Sequence, residues 1–363
     1  MLLLTISLLA IFSGALAEAE DIDESADLGF GLPDETIITS TTSIPSTTND
    51  PIPKTEIKHC GLFKNKTCVK RSDCSTTMRS GSKLIVDLKV RAKSGCHYLE
   101  VCCHPDDMLT PMNGSIPLGY KQCGIGNVGG IFMDLIGGRL ETSLAEYPYM
   151  VAILDTGHRF ICNGVLIGYK VVLTTATCLS PEQPLVIRAG DWDLSTDSEF
   201  VPHVDRGVQY RIVHQQFNWD SIKNNIALLV LVEQFPRVQH IIPICLDHNG
   251  VDLDYDNCFL TGWNYRGTKR LYPYTRNIVL RLDMDIEETI FPNTSSCSVL
   301  TAIPRPEQPM YTKGAPLVCP TESSRYYVVG AWSTSLNGAI QFTDIRKLKE
   351  WIYRELHLYN IVL

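Results

Sequence analysis

The stretch HRFICNGVLIGYKVVLTTATCL, residues 158–179, decides how the rest of this chain is read. It holds two short strand-like runs, 164–168 and 171–175, with a turn between them at Tyr169-Lys170. Val, Ile and Leu dominate both runs, and such side chains favour a pleated, buried surface. Cys162 and Cys178 can close the turn into a covalent loop. The second run ends in Thr-Ala-Thr-Cys, which places Thr177 just before the cysteine. A threonine hydroxyl does not titrate near neutral pH.

The chain has 363 residues, enough for two domains, one of them large enough to bury its own core. A net charge of −8 argues against nucleic acid or an anionic membrane as partner. Thirteen cysteines point to an oxidising compartment and a disulfide framework. There are no paired Cys-x-x-Cys sets and no accompanying histidine cluster, so no metal and no cofactor are expected. Residues 1–17 read as a signal peptide, apolar from Leu2 yet short for a bilayer span. Ala15-Leu16-Ala17 and Ala17-Glu18-Ala19 are both small-x-small cleavage sites. No later stretch is long and apolar enough for a transmembrane helix, so a secreted, extracellular protein is expected.

Residues 18–59 begin acidic and become rich in Thr, Ser and Pro, a composition that buries too little apolar surface to order itself. They read as a disordered spacer. Residues 60–103 hold six cysteines, and a segment this short needs covalent staples. Six cysteines allow fifteen pairings, and spacing alone does not choose among them. LIVDLKV, residues 84–90, is a plausible strand within it. Residues 104–134 form a linker of turn-forming residues that carries Cys123. From 135 to 363 the chain reads as many short strands with turn signals, favouring a β-sandwich or barrel. Val208, Tyr210 and Ile212 alternate, as do Ile278, Leu280, Leu282, Met284 and Ile286, the pattern of half-buried strands. After Thr343 and Asp344 as caps, Ile345, Leu348, Trp351, Ile352 and Leu356 line one face of a closing helix.

The six cysteines ending in Cys-Cys resemble the clip domain that precedes protease domains in arthropod proteins. The hairpin resembles the one carrying the catalytic histidine in chymotrypsin/trypsin-family serine proteases. The likeness continues through EYPYMVAIL (146–154), AGDWD (189–193), NNIALL (224–229), CFLTGW (258–263), GAPLVC (314–319) and YVVGAW (327–332). It implies an all-β fold, a chymotrypsin-like double β-barrel with a C-terminal helix behind a small disulfide-rich clip. It also implies the pairs Cys60–Cys102, Cys68–Cys96, Cys74–Cys103 and Cys123–Cys245. With Cys162–Cys178 and Cys258–Cys319 added, Cys297 is left unpaired.

In active members of that family serine attacks, histidine takes the proton, and a buried aspartate holds the imidazolium. Aligned on Pro316-Leu317, this chain has Lys313 at the serine position, Thr177 at the histidine and Asn225 at the aspartate. Tyr311 stands at an oxyanion-hole glycine, and the cysteine pair that frames the specificity pocket is missing. The activation switch is degenerate too. Asp134 replaces the basic residue before Leu135-Ile136-Gly137-Gly138, and Thr312 replaces the aspartate that would pair with a freed terminus. His158, His203, His214 and His240 remain, without a Gly-x-Ser-x-Gly or Gly-Asp-Ser-Gly to serve. Asn65, Asn113 and Asn293 head N-glycosylation sequons.

The resemblance therefore implies a non-catalytic homologue acting as cofactor, scaffold or decoy in an extracellular protease cascade of immunity, Toll-type signalling or development. Its partners would be extracellular proteins, above all proteases or zymogens. Lys70-Arg71, Arg79 and Lys83 are basic residues expected to be exposed and open to processing within the clip. Two alternatives are an adhesion or pathogen-recognition protein and a residual serine-type endopeptidase.

Overall fold

The computed structural model of this chain describes residues 58–75, 84–88, 95–109, 123–180, 183–246, 248–264, 277–287, 299–305, 312–336 and 338–363. The expected signal peptide, nearly all of the spacer, Asn113, Asn293, Cys297 and Tyr311 lie outside these residues.

The N-terminal part is a three-stranded sheet of β1 (His59–Cys60), β2 (Lys66–Lys70) and β4 (Glu100–Cys103), with β3 (Leu84–Asp87) apart from it. Three disulfides staple it: Cys60–Cys102, Cys68–Cys96 and Cys74–Cys103. After β5 (Met133–Ile136) come β6 (Met150–Asp155), β7 (Phe160–Gly168), β8 (Val171–Thr174), β9 (Leu185–Ala189), β10 (Val204–Val213) and β11 (Ala227–Leu231). These six close into a barrel in the order β10-β11-β8-β7-β6-β9. A second closed barrel, β12-β13-β14-β17-β16-β15, uses β12 (Phe259–Gly262), β13 (Leu280–Glu287), β14 (Val299–Arg305), β15 (Pro316–Pro320), β16 (Tyr326–Leu336) and β17 (Ala339–Asp344). The helix α1 (Ile345–Leu358) ends the chain. The fold is all-β and chymotrypsin-like, two antiparallel barrels and a C-terminal helix.

Closure removes the exposed edges that open sheets present. It also explains the strand patterns. β11 is buried at all five residues because it lies in the barrel wall with the rest of the chain over its outer face. Ile278, Leu280, Leu282 and Met284 are buried, as their alternation requires. Tyr210 departs from its expected half-buried place. A register shift between Val208 and Tyr210 re-aims it outward, where its ring meets Tyr359 at 4.9 Å between centroids. On α1 the buried set is Ile345, Leu348, Trp351, Ile352, Glu355 and Leu356, and the Asp344 side chain accepts from Arg346 N as the N-cap.

The stapled N-terminal part shares a core with the first barrel. Val86, Leu88, Tyr98 and Leu99 pack in one buried cluster with Ile131, Met133 and Trp192. β3 pairs in parallel with β5, Val86 opposite Leu135. The Tyr98 hydroxyl donates to the buried Asp193 carboxylate, and Ser198 Oγ donates to Glu100 at 2.9 Å. This interface corrects one expectation. Lys70 and Arg71 are half-buried, not exposed: Lys70 Nζ donates to Glu199 O at 3.0 Å and Arg71 Nε to Tyr98 O at 3.3 Å. Residues 79 and 83 lie outside the described ones.

Candidate functional site: a bridged cleft between the barrels

Each barrel contributes a turn to the cleft at their junction. Thr177 sits in the 3₁₀ turn Ala176–Cys178 directly after β8, tied to β7 by Cys162–Cys178. Asn225 immediately precedes Ile226 and β11 and is fully buried. Lys313 lies in the turn before β15, and Ser333 is within β16. The structure brings Thr177, Asn225 and Lys313 together.

The Asn225 amide holds the site in register. Its Oδ1 accepts from Thr177 N at 3.0 Å, and its Nδ2 donates to Ser333 Oγ at 2.7 Å and to Thr177 Oγ1 at 3.3 Å. A neutral group that both donates and accepts fits these partners; a carboxylate would only accept. Thr177 Oγ1 in turn reaches Thr175 Oγ1 at 3.4 Å. Across the cleft Lys313 Nζ donates to Thr177 O at 2.6 Å. Partial burial lowers the Lys313 ammonium pKa from its ordinary value. Among the described residues no imidazole or carboxylate bonds to Thr177, Asn225 or Lys313. Among the described residues the site thus presents the Thr177 hydroxyl, the Asn225 amide and the Lys313 ammonium, without a charge-relay pair that would activate a hydroxyl.

The next residue, Gly314, has φ +78°, and a Cβ there would sit 2.3 Å from Asn163 O and 2.6 Å from Thr174 Oγ1. Only glycine lets the turn approach β7 and β8 so closely. Asn163, a polar residue inside an otherwise apolar strand, answers from the other side. Its N–H donates to Lys313 O at 2.9 Å, its Nδ2 donates to Trp263 O at 3.0 Å, and its Oδ1 accepts from Trp263 N at 2.8 Å. Neither Asn163 nor Ser333 was singled out by sequence reasoning. The lone polar residue in a strand was the available signal for the first, while Ser333 had none.

The remaining histidines stand elsewhere. His214 follows β10, accepts from Gln216 N at 3.1 Å through Nδ1 and stacks 4.8 Å from Trp351. His240 is buried against Pro202 O, and burial lowers both imidazole pKa values. His203 belongs to a separate acidic knot. There Asp191, Glu199 and His203 each bring one ligand-type atom within 4.8 Å of the others. Burial pushes the Asp191 carboxyl up to about 7, and Glu199 is raised by burial and by Asp191 beside it. Arg188 forks onto Asp205 at 2.8 and 2.9 Å and reaches Asp191 only at 3.5 Å.

The segment 133–138 also bears on reactivity. Leu135 and Ile136 are held in β5 by β3, with Leu88 N donating to Ile136 O at 2.9 Å. Thr312 is fully buried, and its Oγ1 has no hydrogen-bond partner among the described residues. Cys123 is bonded to Cys245.

Residues 136–303 match the Trypsin family. Over 301 residues the chain is 27% identical to an inactive CLIP domain-containing serine protease, A8 of Anopheles gambiae, a match covering 74% of this chain and 81% of that one. To the inactive CLIP domain-containing serine protease A28 of the same mosquito it is 34% identical over 46% of this chain and 49% of the relative. Phenoloxidase-activating factor 2 of Galleria mellonella is 31% identical over 44% of this chain and 57% of its own length. The chain matches about half the length of these last two relatives.

Proposed function

From a chain that is a clip-domain homologue of the trypsin-family serine proteases, we propose a secreted, non-catalytic protein that serves as cofactor, scaffold or decoy in an extracellular protease cascade. Thr177, Asn225 and Lys313 then occupy the places of base, orienting carboxylate and nucleophile, and none can perform that role. The observation that carries this reading is the Lys313–Thr177 bridge. An ammonium spends its proton on a backbone carbonyl at the point where attack would begin. Two relatives named inactive point the same way, and the name of the Galleria relative supports a cascade ending in phenoloxidase. Binding is noncovalent, through loops that the double barrel holds rigid, and the partners are proteases or zymogens of the same fluid.

The test has two arms. The purified full chain, treated with a serine-directed fluorophosphonate and a panel of peptide amides, should give neither label nor turnover. Turnover abolished by Lys313→Ala would overturn the non-catalytic reading. Crosslinking in the source animal's extracellular fluid should recover a clip-domain protease, and adding the chain should change that protease's rate on its protein substrate. Recovery of microbial or cell-surface material alone, with no rate change, would favour adhesion instead.

A further inference from the structure

Two of the three most exposed large apolar side chains of the described structure sit side by side at the tip of the β1–β2 hairpin, the third being Val362 near the C-terminus. Leu62 is 98% and Phe63 87% exposed, whereas Trp219, the next most exposed aromatic ring, is 61% exposed. Hairpin tips need turn-forming residues, not a phenyl ring, and water gains nothing from this one. Two residues later stands Asn65, exposed and heading the sequon Asn65-Lys66-Thr67. The loop is well defined: Cys60 pairs with Lys66, Lys64 N donates to Gly61 O at 3.2 Å, and Lys64 takes φ +52°. The Asn65 amide makes no hydrogen bond among the described residues, so it is available.

We propose that Asn65 carries an N-linked glycan whose first N-acetylglucosamine packs on the Phe63 ring, so that the sugar covers the exposed apolar tip. Two residues apart, the two Cα atoms are at most about 7 Å from one another, well within reach of one sugar ring. One face of a pyranose is a patch of C–H groups carrying partial positive charge, and the face of a phenyl ring is negative. The pair is complementary, and the contact removes apolar area of both from water. The covalent step needs a polyprenyl-diphosphate-linked oligosaccharide as donor. The Asn65 Nδ2–C1 bond forms as the C1–O bond to the diphosphate breaks; the amide loses one proton and the polyprenyl diphosphate leaves. A glycan here also places its bulk on the solvent end of the stapled sheet, away from the face that packs on the barrel. The inference needs export but not the cascade role, and it is read on the chain itself.

The full chain would be secreted from cultured insect cells as wild type, Asn65→Gln, Phe63→Ala and Phe63→Tyr. Peptide mass spectrometry after N-glycanase in ¹⁸O water should mark Asn65 as occupied in the wild type. The N-acetyl and ring protons of the first sugar should show upfield ring-current shifts that vanish in Phe63→Ala and persist in Phe63→Tyr. Enzymatic deglycosylation should lower the melting temperature of wild type and Phe63→Tyr by about 2 °C and leave Phe63→Ala unchanged. An unmodified Asn65 in secreted protein overturns the proposal, and so does a deglycosylation loss equal in wild type and Phe63→Ala. Binding of secreted wild-type chain to phosphatidylserine vesicles that requires Phe63 would also overturn it, since the ring would then be free for lipid.

Discussion

Lys313 Nζ donates to the backbone carbonyl of Thr177 at 2.6 Å, joining the turn after β8 in one barrel to the turn before β15 in the other. The bond answers a physical need on both sides. A half-buried ammonium requires an acceptor, and the carbonyl of a residue in a single 3₁₀ turn has no helical partner to use. On the reading proposed above, the side chain at the nucleophile position is thus also a tie between the two barrels.

Replacing the lysine tests that double role. Lys313→Met should cost about 1 kcal/mol, the value of a charge-assisted bond discounted for the exposure of the ammonium. Urea denaturation would read it as a lower midpoint at unchanged slope. Lys313→Ser should lose similar stability yet gain no fluorophosphonate labelling, because neither Thr177 nor Asn225 can take a proton from the new hydroxyl. Labelling of the serine variant would show that another base reaches the cleft.

Gly314 sits beside the bridge, and its φ of +78° leaves no room for a side chain. Gly314→Ala should destabilise by about 3 kcal/mol or more, since the new methyl meets backbone and not a flexible side-chain end. The signature would be poor secretion together with a melting temperature well below that of an alanine variant at Gly129. Gly129 also has positive φ, but its Cβ would meet nothing within 4 Å. Equal effects at the two positions would assign the cost to backbone strain alone.

Much of this was legible from local pattern. The hairpin of residues 158–179, the alternation along β13 and the apolar stripe of α1 all rest on periodicities of a few residues, which barrel closure and helix packing preserve. What escaped depends on partners far apart in sequence. Tyr98 and Asp193 are 95 residues apart, and Asn225 and Ser333 are 108 apart, so no window of sequence holds both members. Lys70 and Arg71 looked like solvated charges because their acceptors are backbone carbonyls, which any sequence supplies. Tyr210 departs from the expected alternation because its register against β11 shifts relative to Val208, and a shift set by the partner strand leaves no local mark in the sequence.

The contact between Tyr98 and Asp193 should make the stapled sheet and the barrels unfold together. Both groups are buried, and Asp193 Oδ1 is already used by Ser195 and Asn277 N–H groups. Tyr98→Phe removes a hydrogen bond to a charged group and leaves Oδ2 short of a donor, a loss of about 2 kcal/mol. Native-state hydrogen exchange should then show β2 and β4 losing protection ahead of β6 and β7. Uniform loss across all four strands would mean that the shared apolar core, not this bond, couples the two parts.

The acidic knot sets the pH dependence. Asp191 Oδ1 and Glu199 Oε2 are buried without hydrogen-bond partners among the described residues, and Asp191 is pushed by burial from 3.8 up to about 7. The groups facing it are Arg188, Asp193, Asp197, Glu199 and His203. A carboxyl raised in the folded state keeps a proton that the unfolded chain releases, so its contribution is whole below pH 3.8 and drains away as pH rises towards 7. The three histidines lowered by burial, His203, His214 and His240, work oppositely: they cost stability as pH falls below 6.5. The wild-type curve mixes these effects, and Asp191→Asn separates them, because asparagine keeps the shape of the protonated acid and does not titrate. Relative to wild type, the variant should gain stability between pH 4 and pH 7, by up to about 4 kcal/mol at the upper end, measured by urea midpoints across that range. Parallel wild-type and variant curves would mean that Asp191 stays ionised in the folded chain, with Arg188 as its true counter-ion.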